Sequence, residues 1–150
     1  MTWTTLRRSK TGPLATVTHG DGPLVLLIHG VGLRAEAWGA QFEALSQHNR
    51  VVAVDMPGHG ESDSFDYTPR LSDFTDAILN AVDEPATVIG HSFGAMIALD
   101  MGIRYPEKVK AVAALNAIYR RDIVAKDTIQ ERVKALDGKT NGDPSGALAR

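Results

Sequence analysis

Ser92 stands in the run Gly90-His91-Ser92-Phe93-Gly94, directly after the apolar stretch Ala86 to Ile89 and directly before a helix-like stretch, Ala95 to Arg104. A G-x-S-x-G run at a strand-to-helix junction lifts a serine hydroxyl above the end of a sheet and aims a helix N-terminus at the reacting oxygen. The chemistry open to such a serine is acyl transfer. The hydroxyl attacks a carbonyl carbon, a base takes its proton, and amide donors hold the oxyanion of the tetrahedral intermediate. The two glycines are expected to permit the strained turn.

Two more segments with reactive residue types follow apolar runs. His29-Gly30-Val31-Gly32-Leu33 comes after Leu24 to Ile28, and Asp55-Met56-Pro57-Gly58-His59-Gly60-Glu61-Ser62 comes after Val51 to Val54. Ligands of open α/β sheets bind at the C-terminal ends of the strands, so the three loops are expected at one edge.

The elements that must position them show in the hydrophobic pattern. Leu24 to Ile28 and Val51 to Val54 are continuously apolar, as in strands covered on both faces, and Thr87 to Ile89 and Val109 to Leu115 repeat the pattern apart from Thr87 and Lys110. Ahead of them, Trp3 to Arg8 and Leu14 to His19 flank a Thr11-Gly12-Pro13 turn and predict an antiparallel opening. Trp38, Phe42 and Leu45 share one helical face, and Leu71, Phe74, Ile78 and Val82 share another. In the third helix, small residues Ala95, Ala98 and Gly102 allow close packing, and Tyr105-Pro106 ends it. Alternating strand and helix predicts an α/β fold, a mostly parallel sheet with helices on both faces. Later, Asp127 with Gln130 resembles a capping box, and Ile129, Val133 and Leu136 form an apolar face ahead of a loop-like segment, Gly138 to Gly146.

In this order, H-G, D-x-P-G-H-G-x-S and G-H-S-x-G resemble the α/β-hydrolase fold superfamily over Thr4 to about Asn116. The run His29 to Trp38 is most similar to small carboxylesterases and enol-lactone hydrolases. The resemblance implies that 1–117 is the N-terminal part of the core, with strands one to six, and that 118–150 begins a helical lid. It implies Ser92 as nucleophile and the backbone N–H groups of Phe93 and Val31 as oxyanion donors, with Gly32 as the alternative to Val31. His29, Gly30, His91 and Trp38 are expected at the substrate, and Phe93 and Met96 are further candidates for an acyl pocket. Asp55 is expected to anchor the loop from Pro57 to Gly60.

The base and acid are the gap in this pattern. No histidine follows His91, although the fold supplies its base late in the chain. His29 closes a buried strand and suits a role in shaping the oxyanion loop. His91 would support the elbow or line the pocket, His59 lies between glycines, and His19 and His48 read as surface residues. Where some relatives carry the acid, this chain has Asn116 and then Asp122. An asparagine does not stabilise an imidazolium as a carboxylate does. The resemblance therefore places acid and histidine beyond residue 150, on a continuation of the chain or a complementing C-terminal fragment; a homo-oligomer is the other association expected, and a shortened homologue with a different role is the third explanation. The expected activity is hydrolysis of a small carboxylic ester or lactone through an acyl-enzyme, without cofactor or metal. The alternative is a non-catalytic ligand-binding or scaffold module that keeps the elbow.

Composition narrows the remaining classes. The 150 residues suffice for one ordinary domain, and a formal net charge of −2 gives no electrostatic case for nucleic acid or an anionic membrane. The absence of cysteine excludes disulfides and thiol catalysis. Met1 to Lys10 lacks the apolar core of a signal peptide, and no apolar run approaches the ~20 residues that span a bilayer, which together suggest a cytoplasmic setting. No His-x-x-x-His pair has metal spacing, and Gly30-x-Gly32 lacks the third glycine of a dinucleotide loop.

Overall fold

A computed structural model describes residues 6, 8–80, 82–118 and 127–128. Its first elements are β1 (Arg8–Thr11) and β2 (Leu14–His19), an antiparallel hairpin whose register pairs Thr11 with Leu14. The turn is the two residues Gly12-Pro13, with Gly12 at φ 59°. A positive φ at the first central position suits a tight hairpin turn, and glycine takes it without cost. The first strand was expected over Trp3 to Arg8. Because a two-residue turn requires pairing right up to its flanks, the strand runs on from Arg8 to Thr11, and residues 1–5 and 7 lie outside the described residues.

The chain then alternates. After β3 (Leu24–Ile28) a short 3-10 turn (Ala35–Trp38) leads into α1 (Gly39–Leu45), followed by β4 (Arg50–Val54), α2 (Leu71–Leu79), β5 (Ala86–His91), α3 (Phe93–Arg104) and β6 (Val109–Leu115). The six strands form one sheet in the order β1-β2-β4-β3-β5-β6, parallel except where β2 meets β1 and β4. The predicted α/β fold is the one observed. β4 lies on one side of β3 and β5 on the other, so the crossover β3-α1-β4 runs opposite to β4-α2-β5. Right-handed crossovers of opposite direction place their helices on opposite faces.

Residue parity shows this division. On one face, Leu24, Leu26 and Ile28 of β3 join Val52 and Val54 of β4, Val88 of β5, Ile78 of α2, and Ile97 and Met101 of α3. On the other, Val25, Leu27, Val51 and Ala53 join Trp38 and Phe42. Successive strand residues point to opposite faces, so a strand with a core on each side must be apolar at every position.

β6 is less buried than the inner strands. Lys110, Ala111 and Leu115 are exposed and the rest of the strand is only partly covered, because β6 is the sheet's edge among the described residues. Val82 also falls outside α2, which stops at Leu79, although it still packs against the core. α2 starts where Asp73 Oδ2 accepts the Arg70 N–H at 2.7 Å, satisfying one of the amides a helix start leaves free.

Residues Met1–Ala117 form one compact unit and Ile118–Arg150 another. Of the second, Ile118, Asp127 and Thr128 are described, the last two as helix. Gln130, the apolar face of Ile129, Val133 and Leu136, and Gly138 to Gly146 lie outside the described residues.

Candidate active site

Ser92 is the residue between β5 and α3, at φ 56° and ψ −114°. Asn116 is the other described non-glycine residue at positive φ, just past β6. Holding an L-residue in this region costs on the order of 1–3 kcal/mol and persists only where the surroundings enforce it. Here the Ser92 N–H donates to Leu115 O at 2.9 Å, while its carbonyl accepts from the N–H groups of Ala95 at 3.1 Å and Met96 at 3.3 Å.

The flanking glycines do something other than relieve φ. Neither has a positive φ. A Cβ on Gly90 would lie 2.1 Å from Gly94 O, and one on Gly94 would lie 2.2 Å from Ile28 O. Both glycines are required for backbone contact between β5, the first turn of α3 and the end of β3. The glycines thus permit the turn by close approach, and its backbone strain falls on Ser92.

The intrahelical bonds of α3 start at Ser92 O, so the amides of Phe93 and Gly94 head the helix without an intrahelical acceptor. Across from them is the turn Gly30-Val31-Gly32-Leu33, closed by Leu33 N–H to Gly30 O at 3.2 Å, with Gly32 at φ 77°. This turn lies against the serine: a Cβ on Gly30 would sit 3.2 Å from Ser92 Cβ and 3.3 Å from His91 Nδ1. The Val31 amide takes no part in the closure, and the residue is 66% exposed in the turn.

His29 sets the base of that turn. Its Nε2 accepts the Met56 N–H at 3.0 Å, so Nδ1 carries the proton and donates to Gly30 O at 2.7 Å. The ring is buried, and burial pushes its pKa down to about 4, partly offset by the bond to Gly30. A neutral imidazole with both nitrogens engaged positions backbone and leaves no lone pair for Ser92. His59 packs edge-on to it at 5.3 Å, His91 is half-buried beside the serine, His48 is exposed and His19 is half-buried. Among the described residues, the Ser92 hydroxyl has no side-chain hydrogen-bond partner.

Asp55 anchors the loop after β4, as expected, and also reaches farther. Its Oδ1 accepts the Ala35 N–H at 2.8 Å and its Oδ2 the Glu61 N–H at 2.9 Å, while the Ser62 hydroxyl donates to its carbonyl at 2.6 Å. Arg8 forms an ion pair with the fully buried carboxylate and a forked one with Glu36, both contacts at 2.5 Å. The charge of Asp55 is thus compensated inside the fold, which a buried carboxylate requires. Sequence reasoning missed Arg8 and Glu36. They are 28 residues apart, and no local pattern pairs them.

On the α1 face of the same edge lies a cavity of about 250 Å³ lined by His29, Leu33, Ala37, Trp38, Gln41, His91 and Leu115. Trp38, His29 and His91 thus share one wall, while Gly30 lies at the serine. Phe93 turns to the opposite face, its ring edge-to-face with Phe74 at 5.2 Å, and Met96 is half-buried. Among the described residues no cluster of three His, Cys, Asp or Glu is placed to hold a metal ion, and no helix is long and apolar enough to cross a membrane.

Residues 25–146 match the Alpha/beta hydrolase family. The chain is 38% identical over 121 residues to an (E)-2-((N-methylformamido)methylene)succinate hydrolase of Acinetobacter baylyi, covering 78% of this chain and 46% of that protein. It is 38% identical over 103 residues to a pimeloyl-[acyl-carrier protein] methyl ester esterase of Methylococcus capsulatus, covering 65% of this chain and 38% of the relative. The chain therefore spans less than half the length of these curated relatives. Among solved structures, a hydrolase from Pseudomonas aeruginosa PA01 superposes with a TM-score of 0.78 at 25% identity, over 97% of this chain and 57% of the other. An E-2-(acetamidomethylene)succinate hydrolase gives 0.77 at 29% identity, over 87% and 51%. The family match covers most of the chain's length, and the chain belongs to the alpha/beta hydrolase family.

Proposed function

We propose that Ser92 is the nucleophile of a serine hydrolase that cleaves a small carboxylic ester or lactone. The observation that carries this reading is the strained backbone of Ser92, held between the head of α3 and the Gly30 to Leu33 turn. The Ser92 oxygen attacks the carbonyl carbon, and the oxyanion is held by the amides of Phe93 and Val31, donors that need no side-chain chemistry. A histidine oriented by a carboxylate takes the serine proton and passes it to the leaving oxygen. Water then hydrolyses the acyl-enzyme by the same route in reverse. In this reading both groups come from outside residues 1–150, on a continuation of the chain or a complementing polypeptide. A hydrolase and a methyl ester esterase among the relatives support the reaction class.

A second reading is a ligand-binding module that keeps the elbow without turnover. It is favoured by the unpartnered Ser92 hydroxyl among the described residues. A fluorophosphonate probe separates the two. The hydrolase reading predicts a covalent adduct that maps to Ser92 and disappears in Ser92→Ala, whereas absence of an adduct at every probe concentration supports the binding module.

A further inference from the structure

Resting on the hydrolase reading, we propose that Arg8 is a positioning residue: by joining Asp55 to Glu36 it holds the exit of the Gly30 to Leu33 turn and so keeps the Val31 amide opposite Ser92. That turn is gripped at both ends. At its entrance His29 donates to Gly30 O and accepts from the Met56 N–H. At its exit, two residues beyond the closing amide of Leu33, the Ala35 N–H donates to Asp55 Oδ1 at 2.8 Å. Both grips reach the loop after β4, at the neighbouring residues Asp55 and Met56. The start of the 3-10 turn at Ala35 has no side-chain cap of its own, which leaves this contact to fix it.

The exit grip depends on a buried charge. Asp55 is fully buried, and a Cβ on Gly60 would lie 2.0 Å from its Oδ2, so backbone is wrapped closely around the carboxylate. A carboxylate taken out of water needs a compensating cation to remain a strong acceptor of amide hydrogens. Arg8 supplies it and divides one guanidinium among three segments. One Nη pairs with Asp55, the other forks to both Glu36 oxygens at 2.5 Å, and Nε lies 3.3 Å from Glu61. Glu36 follows Ala35 in the chain, so the guanidinium holds the exit a second time, through a side chain. Without it the carboxylates of Asp55, Glu36 and Glu61 would crowd together, with the exposed Arg34, 3.3 Å from Glu36, as partial relief. A lysine, one compact charge on a flexible stem, does not reproduce a planar fork that serves three carboxylates.

The test reads amide exchange and acylation in Arg8→Met, which keeps an apolar stem, and in Arg8→Lys, which keeps the charge. Arg50→Met is the control, because it breaks the pairs of Arg50 with Asp83 and Glu84 at the opposite end of β4. In the 15N-labelled chain, hydrogen exchange at the Ala35 amide should quicken about tenfold in Arg8→Met and about threefold in Arg8→Lys, while Arg50→Met leaves it within about twofold. Acylation of Ser92 by p-nitrophenyl acetate should lose about tenfold in maximal rate in Arg8→Lys, with the half-saturating concentration within about twofold, because oxyanion donors act on the transition state. Unchanged Ala35 exchange in Arg8→Lys, equal quickening in Arg50→Met, or a full acylation rate despite quickened exchange would overturn the proposal. Arg8→Lys keeps the countercharge, so a misfolded Arg8→Met leaves the test intact. A wild-type chain that is never acylated would count against the hydrolase reading, and Ala35 exchange would still decide the clamp.

Discussion

Ser92 and His29 show how single residues carry this site. Ser92 stores strain that a glycine would relieve, and the cost is maintained by hydrogen bonds on both sides of its peptide plane. His29 trades basicity for position. Its folded pKa is lowered to about 4 by burial against 6.5 when unfolded, so between these values the unfolded chain binds the extra proton and the folded chain does not. The linkage sign is then fixed: the contribution of His29 to stability is complete above about pH 6.5, falls as pH drops toward 4, and is level below, with on the order of 3 kcal/mol lost across the window. Urea unfolding midpoints of wild type and His29→Gln between pH 4 and 7 check this. The variant should show the shallower pH dependence, and equal slopes would remove His29 as the cause. The serine was legible because its motif is local, whereas the tautomer of His29 was not, since it depends on the Met56 amide 27 residues away.

At the scale of elements, the site depends on how closely α3 approaches β3 and β5. A Cβ at Gly94 would lie 2.2 Å from the backbone oxygen of Ile28, a contact no side-chain rearrangement relieves. Gly94→Ala should therefore destabilise the fold by at least about 2 kcal/mol in urea unfolding, because α3 must shift off the sheet. Gly102, on the same helix, makes the internal control. Its added Cβ would meet the Val112 Cγ2 at 3.0 Å, a side chain that can turn, and alanine favours helix by about 1 kcal/mol, so Gly102→Ala should stay within about 1 kcal/mol of wild type. Equal losses at both positions would contradict the close-approach role of Gly94. The inner strands were legible from their unbroken apolar runs, because double-sided burial leaves no polar position. β6 is apolar along most of its length yet is the edge strand among the described residues, as its place after the last crossover led us to expect, and that position leaves Lys110 and Leu115 exposed.

For the whole molecule, three loops far apart in sequence meet because β4, β3 and β5 lie side by side and parallel. That convergence was foreseeable from the strand and helix order. The Arg8, Glu36 and Asp55 network that ties the first strand to two of these loops was not, since long-range ion pairs leave no periodic trace. The account's central claim is that this convergence makes Ser92 an acyl acceptor. The measurement that meets it most directly is intact mass and peptide mapping after incubation with p-nitrophenyl acetate and an acid quench. The account predicts a single acetyl group on Ser92, absent from Ser92→Ala, accumulating where deacylation lacks its base. An unmodified Ser92, or acetylation spread over surface lysines alone, would contradict it.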